Sequence, residues 1–299
     1  MISVIIPSYN EEENIFEAAQ AVSAVLADRE YELIFVDDGS TDGTWQKITE
    51  ASADPHIRGL RFSRNFGKEP AIRAGLEAAT GDAAVVMDCD LQHPPKVIPE
   101  MIEKWENGAK VVEGKKSARG SKGSSYSVFA AAFNSVMTRA TGFDMSGASD
   151  FILLDREAVK AVLSYGESGS FFRALAQYVG FESEAVYYDV AERERGSGKW
   201  TFFKLLSYAL KNIASFTSAP LLLGLASGAV VIVAAVVLFI LKWCGADLGP
   251  FGAGVLALML VGGLILISLG IIGYYLSRIY DEVKRRPKYI ISADTKERK

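Results

Sequence analysis

Apolar and polar positions alternate in blocks over the first 115 residues. The run SVIIPSY (3–9) is apolar almost throughout, the pattern of a strand buried on both faces. Asn10 followed by Glu13 has the spacing of a capping box and predicts a helix running to about Leu26. YELIFVDD (31–38) predicts a second strand, with a helix from about Thr41. IRGLRFS (57–63) and EPAIRAGLEAAT (69–80) repeat the alternation, and Gly81 ends that helix. DAAVVMDCD (82–90), PPKVIPEMIEKWENG (94–108) and AKVVEG (109–114) continue it, with a proline pair opening the fourth helix. Strands alternating with helices predict an α/β, Rossmann-like fold with a mostly parallel sheet and right-handed crossovers. Ligands of such sheets bind beyond the carboxyl ends of the strands.

The pattern changes after residue 200. No Asp, Glu, Lys, Arg or His occurs from Asn212 to Leu241, or again from Leu248 to Ser277. A bilayer core is spanned by about 20 apolar residues, so each window predicts one transmembrane helix, about 221–243 and 254–276. A pair of buried core helices is the alternative, but charge-free windows of this length exceed core helices. The short connection Lys242–Pro250 makes the pair a hairpin. Before it, KWTFFKLLSYALKNIASF (199–216) sets Phe202, Leu205, Leu206, Ala209, Leu210 and Ile213 at helical spacing. Lys204 and Lys211 fall off that stripe, as in an interfacial amphipathic helix. The same segment could also be the run-up to the first span.

The expected organisation is a cytosolic domain (1–198), a juxtamembrane helix (199–216), two spans (217–277) and a basic cytosolic tail (278–299). Lysines before the first span, and Arg278, Lys284, Arg285, Arg286 and Lys288 after the second, place both ends in the cytoplasm by the positive-inside rule. The start MISVIIPSYN has no basic n-region and does not read as a signal peptide. Mean hydropathy is +0.16, high for a soluble chain of 299 residues. The net charge of −4 argues against a nucleic-acid binder. Residues 242–299 carry net +4 and the remainder net −8. Two cysteines, Cys89 and Cys244, exclude a disulfide framework and a Cys-based zinc site.

Polar residues gather at the strand ends. Pro7, Tyr9, Asn10 and Glu11 end the first strand; Asp37, Asp38, Gly39 and Ser40 the second. Arg64, Asn65, Gly67 and Lys68 end the third; Asp88, Asp90 and Gln92 the fourth. Any one cluster is ordinary capping chemistry. Four along one edge predict a site. Asp88 and Asp90 straddle one residue and can reach one hard cation, Mg²⁺ or Mn²⁺, with Gln92 as a third oxygen donor. His93 is either a further ligand or a loop neighbour, and the all-oxygen donor set favours the neighbour. Gly67 and Lys68 precede a helix start, which attracts anions, and Arg64 and Arg73 add charge; a diphosphate site is predicted there. Neither GxGxxG after a strand nor GxxxxGK[ST] is present.

PSYNEE (7–12), VDDGSTDGT (36–44), RNFGKEPA (64–71) and MDCDLQHP (87–94) resemble the family-2 glycosyltransferases of the GT-A fold. The chain is similar, over nearly its whole length, to polyprenyl-phosphate hexosyltransferases of the bactoprenol glucosyltransferase and dolichol-phosphate mannose synthase type. The resemblance implies that Pro7, Tyr9, Glu11 and Asp38 hold the base and ribose of a nucleotide sugar. It implies that Asp88, Asp90 and Gln92 hold the metal, and that Asp150 lies near the transfer site. Arg119 resembles a position near the acceptor phosphate, and Arg193, Gly196 and Lys199 match a segment that closes over the diphosphate. Two departures stand out: Ile152 where the family has Arg, and Gly198 where it has Ser or Thr. Lys116, Arg119, Lys122 and Arg139 are the cations available to replace the first.

The implied reaction is a single inverting transfer of hexose, from UDP-glucose first, to undecaprenyl or another polyprenyl phosphate. Its implied setting is the inner face of the bacterial cytoplasmic membrane, in a homo-oligomer with a possible flippase partner. Processive synthases of the family resemble one another in a Q-x-x-R-W motif, which this chain lacks. Ile152 and Gly198 leave a second class open, a catalytically impaired membrane-anchored nucleotide-sugar sensor or scaffold.

Overall fold

The computed structural model describes residues 1–116, 150–165, 172–189 and 252–298, and scattered positions between 228 and 244. The chain divides into two compact units, Met1–Thr201 with Pro287–Lys299, and Phe202–Arg286.

The first unit is an eight-stranded sheet in the order β7-β5-β6-β4-β1-β2-β3-β8. Its strands are β1 (Ile2–Ser8), β2 (Tyr31–Asp37), β3 (Ile57–Phe62), β4 (Ala83–Val86), β5 (Val111–Lys116), β6 (Ile152–Asp155), β7 (Ser183–Tyr188) and β8 (Ile291–Asp294). β1 to β4 are mutually parallel where they pair, and β6 and β8 run antiparallel to β4 and β3. β5 pairs antiparallel with β6 and parallel with β7. The first unit's helices among the described residues are α1 (Ile15–Val25), α2 (Thr44–Ala51), α3 (Lys68–Ala78), α4 (Ile98–Glu106), α5 (Arg156–Ser164) and α6 (Phe172–Tyr178), and the second unit contains α7 (Gly252–Val283).

The continuous apolar run of β1 is explained by burial on both faces. Val4 and Ile6 enter one core cluster with Phe35, Val85 and residues of α1 and α4. Ile5 enters the other with Ile34, Val86 and residues of α3, α5 and α6. Val4, Ile5 and Ile6 are all fully buried. Each such side chain contributes roughly 1.5–3 kcal/mol of burial, so β1 anchors the sheet whose carboxyl edge carries the polar residues.

Two expectations change, and a third is met only in part. The Asn10/Glu13 capping box does not form: α1 starts at Ile15, and its N-cap, Asn14, makes no side-chain cap bond. Asn10 is instead left-handed (φ 56°), and its Oδ1 accepts from Thr41 N–H at 3.0 Å. Glu12 likewise accepts from Gly43 N–H at 2.7 Å, so this loop is tied to the one after β2. Secondly, residues 287–299 are not a separate tail. β8 covers the edge of β3, Asp294 accepts from Arg58 Nη2 at 2.6 Å, and Tyr289 stacks on Phe62 with ring centroids 4.9 Å apart. The alternation in ISAD and a partner carboxylate for Arg58 make the strand; the basic run before it hid it.

The third concerns the apolar segments. Among the described residues one helix is long and apolar enough to cross a membrane, Val261–Val283 within α7. It runs seven residues past the expected end of the second span, through Arg278, Asp281 and Glu282. Most of the first expected span, and all of the juxtamembrane helix, lies outside the described residues, so the two-helix hairpin is not established.

Candidate active site

At the carboxyl edge of β1, β2 and β4 lies a cavity of about 320 Å³. Its lining brings together nine residues singled out from the sequence: Pro7, Tyr9, Glu11, Asp38, Asn65, Gly67, Lys68, Asp88 and Asp90. Ser8, Ala71 and Cys89 complete it.

Asp38 braces the neighbouring turn. Its carboxylate accepts from Phe66 N–H at 2.7 Å and Gly67 N–H at 2.8 Å. Burial pushes its carboxyl up, against the pull of those two donors. Gly67 (φ 105°) then launches α3 with Lys68 as its first residue. Lys68 Nζ donates to Asp150 Oδ2 at 2.6 Å and is ion-paired with Asp88. Burial would lower the ammonium, but Asp88 and Asp150 outweigh it and hold it above its ordinary value. Asp150 itself is buried; burial alone would raise it, and Lys68 and Arg173 hold it down instead. Arg173 Nε donates to Asp150 Oδ1 at 3.0 Å. The structure thus lays out an alternating chain, Asp88–Lys68–Asp150–Arg173.

The carboxylates at the other end repel. Glu11 is pushed up by burial and by Asp90 and Asp88, with Asn14 opposing. Hard oxygen donors with excess negative charge in one cavity fit a divalent cation such as Mg²⁺ or Mn²⁺. Among the described residues no three His, Cys, Asp or Glu groups converge into a closed cage. Such a cation would complete its shell with phosphate and water oxygens. Gln92 is not on the cavity wall; its N–H donates to Asp90 Oδ1 at 3.2 Å. His93 is the loop neighbour. It is buried, stacked on Phe151 with centroids 5.2 Å apart, and its Nδ1 accepts from Asp88 N–H at 3.1 Å. Burial pushes the Cys89 thiol up to about 12.

Two expected cations point elsewhere. Arg73 donates to the carbonyls of Leu163 and Tyr165 and pairs with Glu77. Arg64 lies 4.0 Å over the Phe66 ring. Ile152 is buried in the sheet core. Lys116 ends β5. Arg119, Lys122, Arg139, Arg193, Gly196, Gly198 and Lys199 lie outside the described residues.

Sequence reasoning passed over Glu69 and Arg173. Glu69 follows Lys68 directly and accepts from Phe172 N–H at 2.8 Å. Burial and the Asp150 carboxylate push it up to about 7. A charged pair opening a helix was a usable signal for Glu69; Arg173, inside the apolar FFRAL, offered none. A carboxyl raised above its unfolded value is favoured protonated in the fold, so its stabilising effect is lost as pH rises from about 4.5 through 7. Glu69→Gln is therefore expected to raise stability at pH 8 by about 3 kcal/mol, with little effect at pH 4. Melting curves across that range check this; an equal shift at both ends refutes it.

The model of the family described as glycosyl transferase family 2 matches residues 3–162. The chain belongs to that family. It is 36% identical to the putative glycosyltransferase CsbB of Bacillus subtilis over 97% of this chain and 91% of that protein. It is 38% identical to the SfII prophage-derived bactoprenol glucosyl transferase of Shigella flexneri, over 97% of each. Among solved structures, glucosyl-3-phosphoglycerate synthase of Mycobacterium tuberculosis with Mn²⁺, UDP and phosphoglyceric acid superposes with TM-score 0.53. That pair is 22% identical, covering 72% of this chain and 76% of the other. The family-2 domain thus carries the GT-A-like α/β fold that the alternating pattern predicts.

Proposed function

We propose that this glycosyltransferase moves one hexose from a nucleotide sugar, UDP-glucose first, to a polyprenyl phosphate at the inner membrane face. The observation that carries the reading is Lys68, held between Asp88 and Asp150 on the wall of a cavity that also presents Asp90, Tyr9 and Asp38. Similarity to bactoprenol glucosyl transferases along 97% of both chains supports the lipid acceptor.

The acceptor phosphate has a second pKa near 6, so it is already largely dianionic at pH 7. It needs positioning more than a general base. Its oxygen forms a bond to the anomeric carbon as the bond from that carbon to the diphosphate oxygen breaks. The electron pair leaves on the nucleoside diphosphate, and the configuration inverts. Tyr9, Pro7, Glu11 and Asp38 bind the nucleotide. Lys68, with Arg193 and Lys199, meets the negative charge of the leaving group. Arg119, Lys116 and Arg139 take the acceptor phosphate, and Asp150 orients the sugar or the phosphate. Asp88 and Asp90 would hold the Mg²⁺ or Mn²⁺, which supplies Lewis-acid neutralisation of the diphosphate when bound. The apolar segments form two spans around 221–243 and 254–276, both ends cytosolic. A homo-oligomer and a flippase partner complete the assembly.

The test incubates membranes holding the full chain with undecaprenyl phosphate, Mg²⁺ or Mn²⁺, and a panel of radiolabelled nucleotide sugars. Label entering the organic phase from UDP-glucose is expected. Label from a different donor alone corrects the sugar; none from any donor, with the chain folded, overturns the transferase reading.

A further inference from the structure

The alternating charge chain beside the cavity ends in a residue that the proposed chemistry leaves without a task. Arg173 sits at the second position of α6, its side chain 26% exposed, and donates from Nε to Asp150 Oδ1 at 3.0 Å. Asp150's side chain is 8% exposed, and its other oxygen is taken by Lys68 at 2.6 Å. Lys68 also serves Asp88 and lines the cavity. A diphosphate entering the cavity competes for the Lys68 ammonium. Asp150 then loses one of its two cations while it stays buried. A buried carboxylate stripped of its partner is costly and moves or takes up a proton.

We infer that Arg173 is the positioning residue that keeps Asp150 ionised and in place while Lys68 turns to the donor. The inference rests on the transferase reading, since only a donor anion draws Lys68 away. Two further observations fit it. Glu69, next to Lys68 at the start of α3, accepts from the N–H of Phe172, next to Arg173 at the start of α6. The two cations are thus delivered from helix starts that are bonded to each other, with Asp150 between them. A cation is also the suitable residue here, and the guanidinium stays charged at any working pH.

The test compares Arg173→Gln and Arg173→Lys in full-length protein in vesicles with undecaprenyl phosphate. For Gln, kcat is expected to fall about 10- to 100-fold with KM for the nucleotide sugar within about threefold, and Lys is expected to recover most of the loss. An unchanged kcat overturns the inference. So does a loss that Lys does not recover and that matches the fall in folded fraction. A second measurement is independent of turnover: melting of Arg173→Gln, Asp150→Asn and the double variant in detergent. Non-additive shifts support the pairing, and additive shifts refute it. If the unmodified protein transfers no sugar, the transferase reading fails and the melting cycle alone decides whether Arg173 holds Asp150.

Discussion

Replacing Asp90 with asparagine is expected to cut sugar transfer at least about 100-fold while leaving the fold as stable as before, or slightly more so. Asp90 is exposed on the cavity wall, and its recorded contact is the N–H of Gln92 on Oδ1 at 3.2 Å. Asparagine keeps an acceptor for that bond. It removes one of the carboxylates that push Glu11 up, so a repulsion disappears. The same charge is half of the Asp88/Asp90 pair proposed to hold the divalent cation on the donor. Stability and activity therefore separate, which distinguishes this variant from one that simply unfolds. Melting curves, Mn²⁺-dependent UDP binding and the labelled-lipid assay are the measurements. Transfer within about threefold of the unmodified protein would remove Asp90 from the cation's shell.

Gly39→Ala is expected to cost about 3 kcal/mol or more and to take activity with it. Gly39 has φ 70°, a conformation that L side chains avoid. A Cβ there would lie 2.4 Å from the Arg64 carbonyl carbon and 2.7 Å from Asn65 N. Both obstacles are backbone, so no side chain can swing aside. Moving the 64–65 turn would also pull Phe66 and Gly67 from the Asp38 carboxylate, and with them the start of α3 that carries Lys68. A loss of this size lowers the melting temperature by several degrees. A variant that melts with the unmodified protein would show that the two loops are not as tightly packed as described.

Five strands and the first four helices were legible because each has a local signature. Continuous apolar runs gave β1 and β2, and Gly81 marked the exit from α3. The four strand-end clusters were also local, and nine of their residues do meet in one cavity. What escaped was non-local. β6, β7 and β8 draw their identity from partners across the sheet. The Asn10/Glu13 spacing looked like a cap, but the tighter bonds lay across to Thr41 and Gly43, thirty residues on. Arg173 was invisible for the same reason, and the charged pair that marks Glu69 did not reveal its partner: Asp150 and Phe172 come to them only when α3 and α6 pack on one face.

β8 has a consequence for synthesis. It is translated after the apolar helix Gly252–Val283, yet it belongs to the sheet begun at Ile2. While the ribosome is still making the helix, β3 is an open edge with unpaired N–H and C=O groups. The nascent domain therefore emerges unfinished and passes through a stage in which that edge is available to other strands. Arg58 and Phe62 also wait until Asp294 and Tyr289 leave the exit tunnel. Completion of the sugar-handling domain is thus timed to follow the apolar segment rather than to precede it.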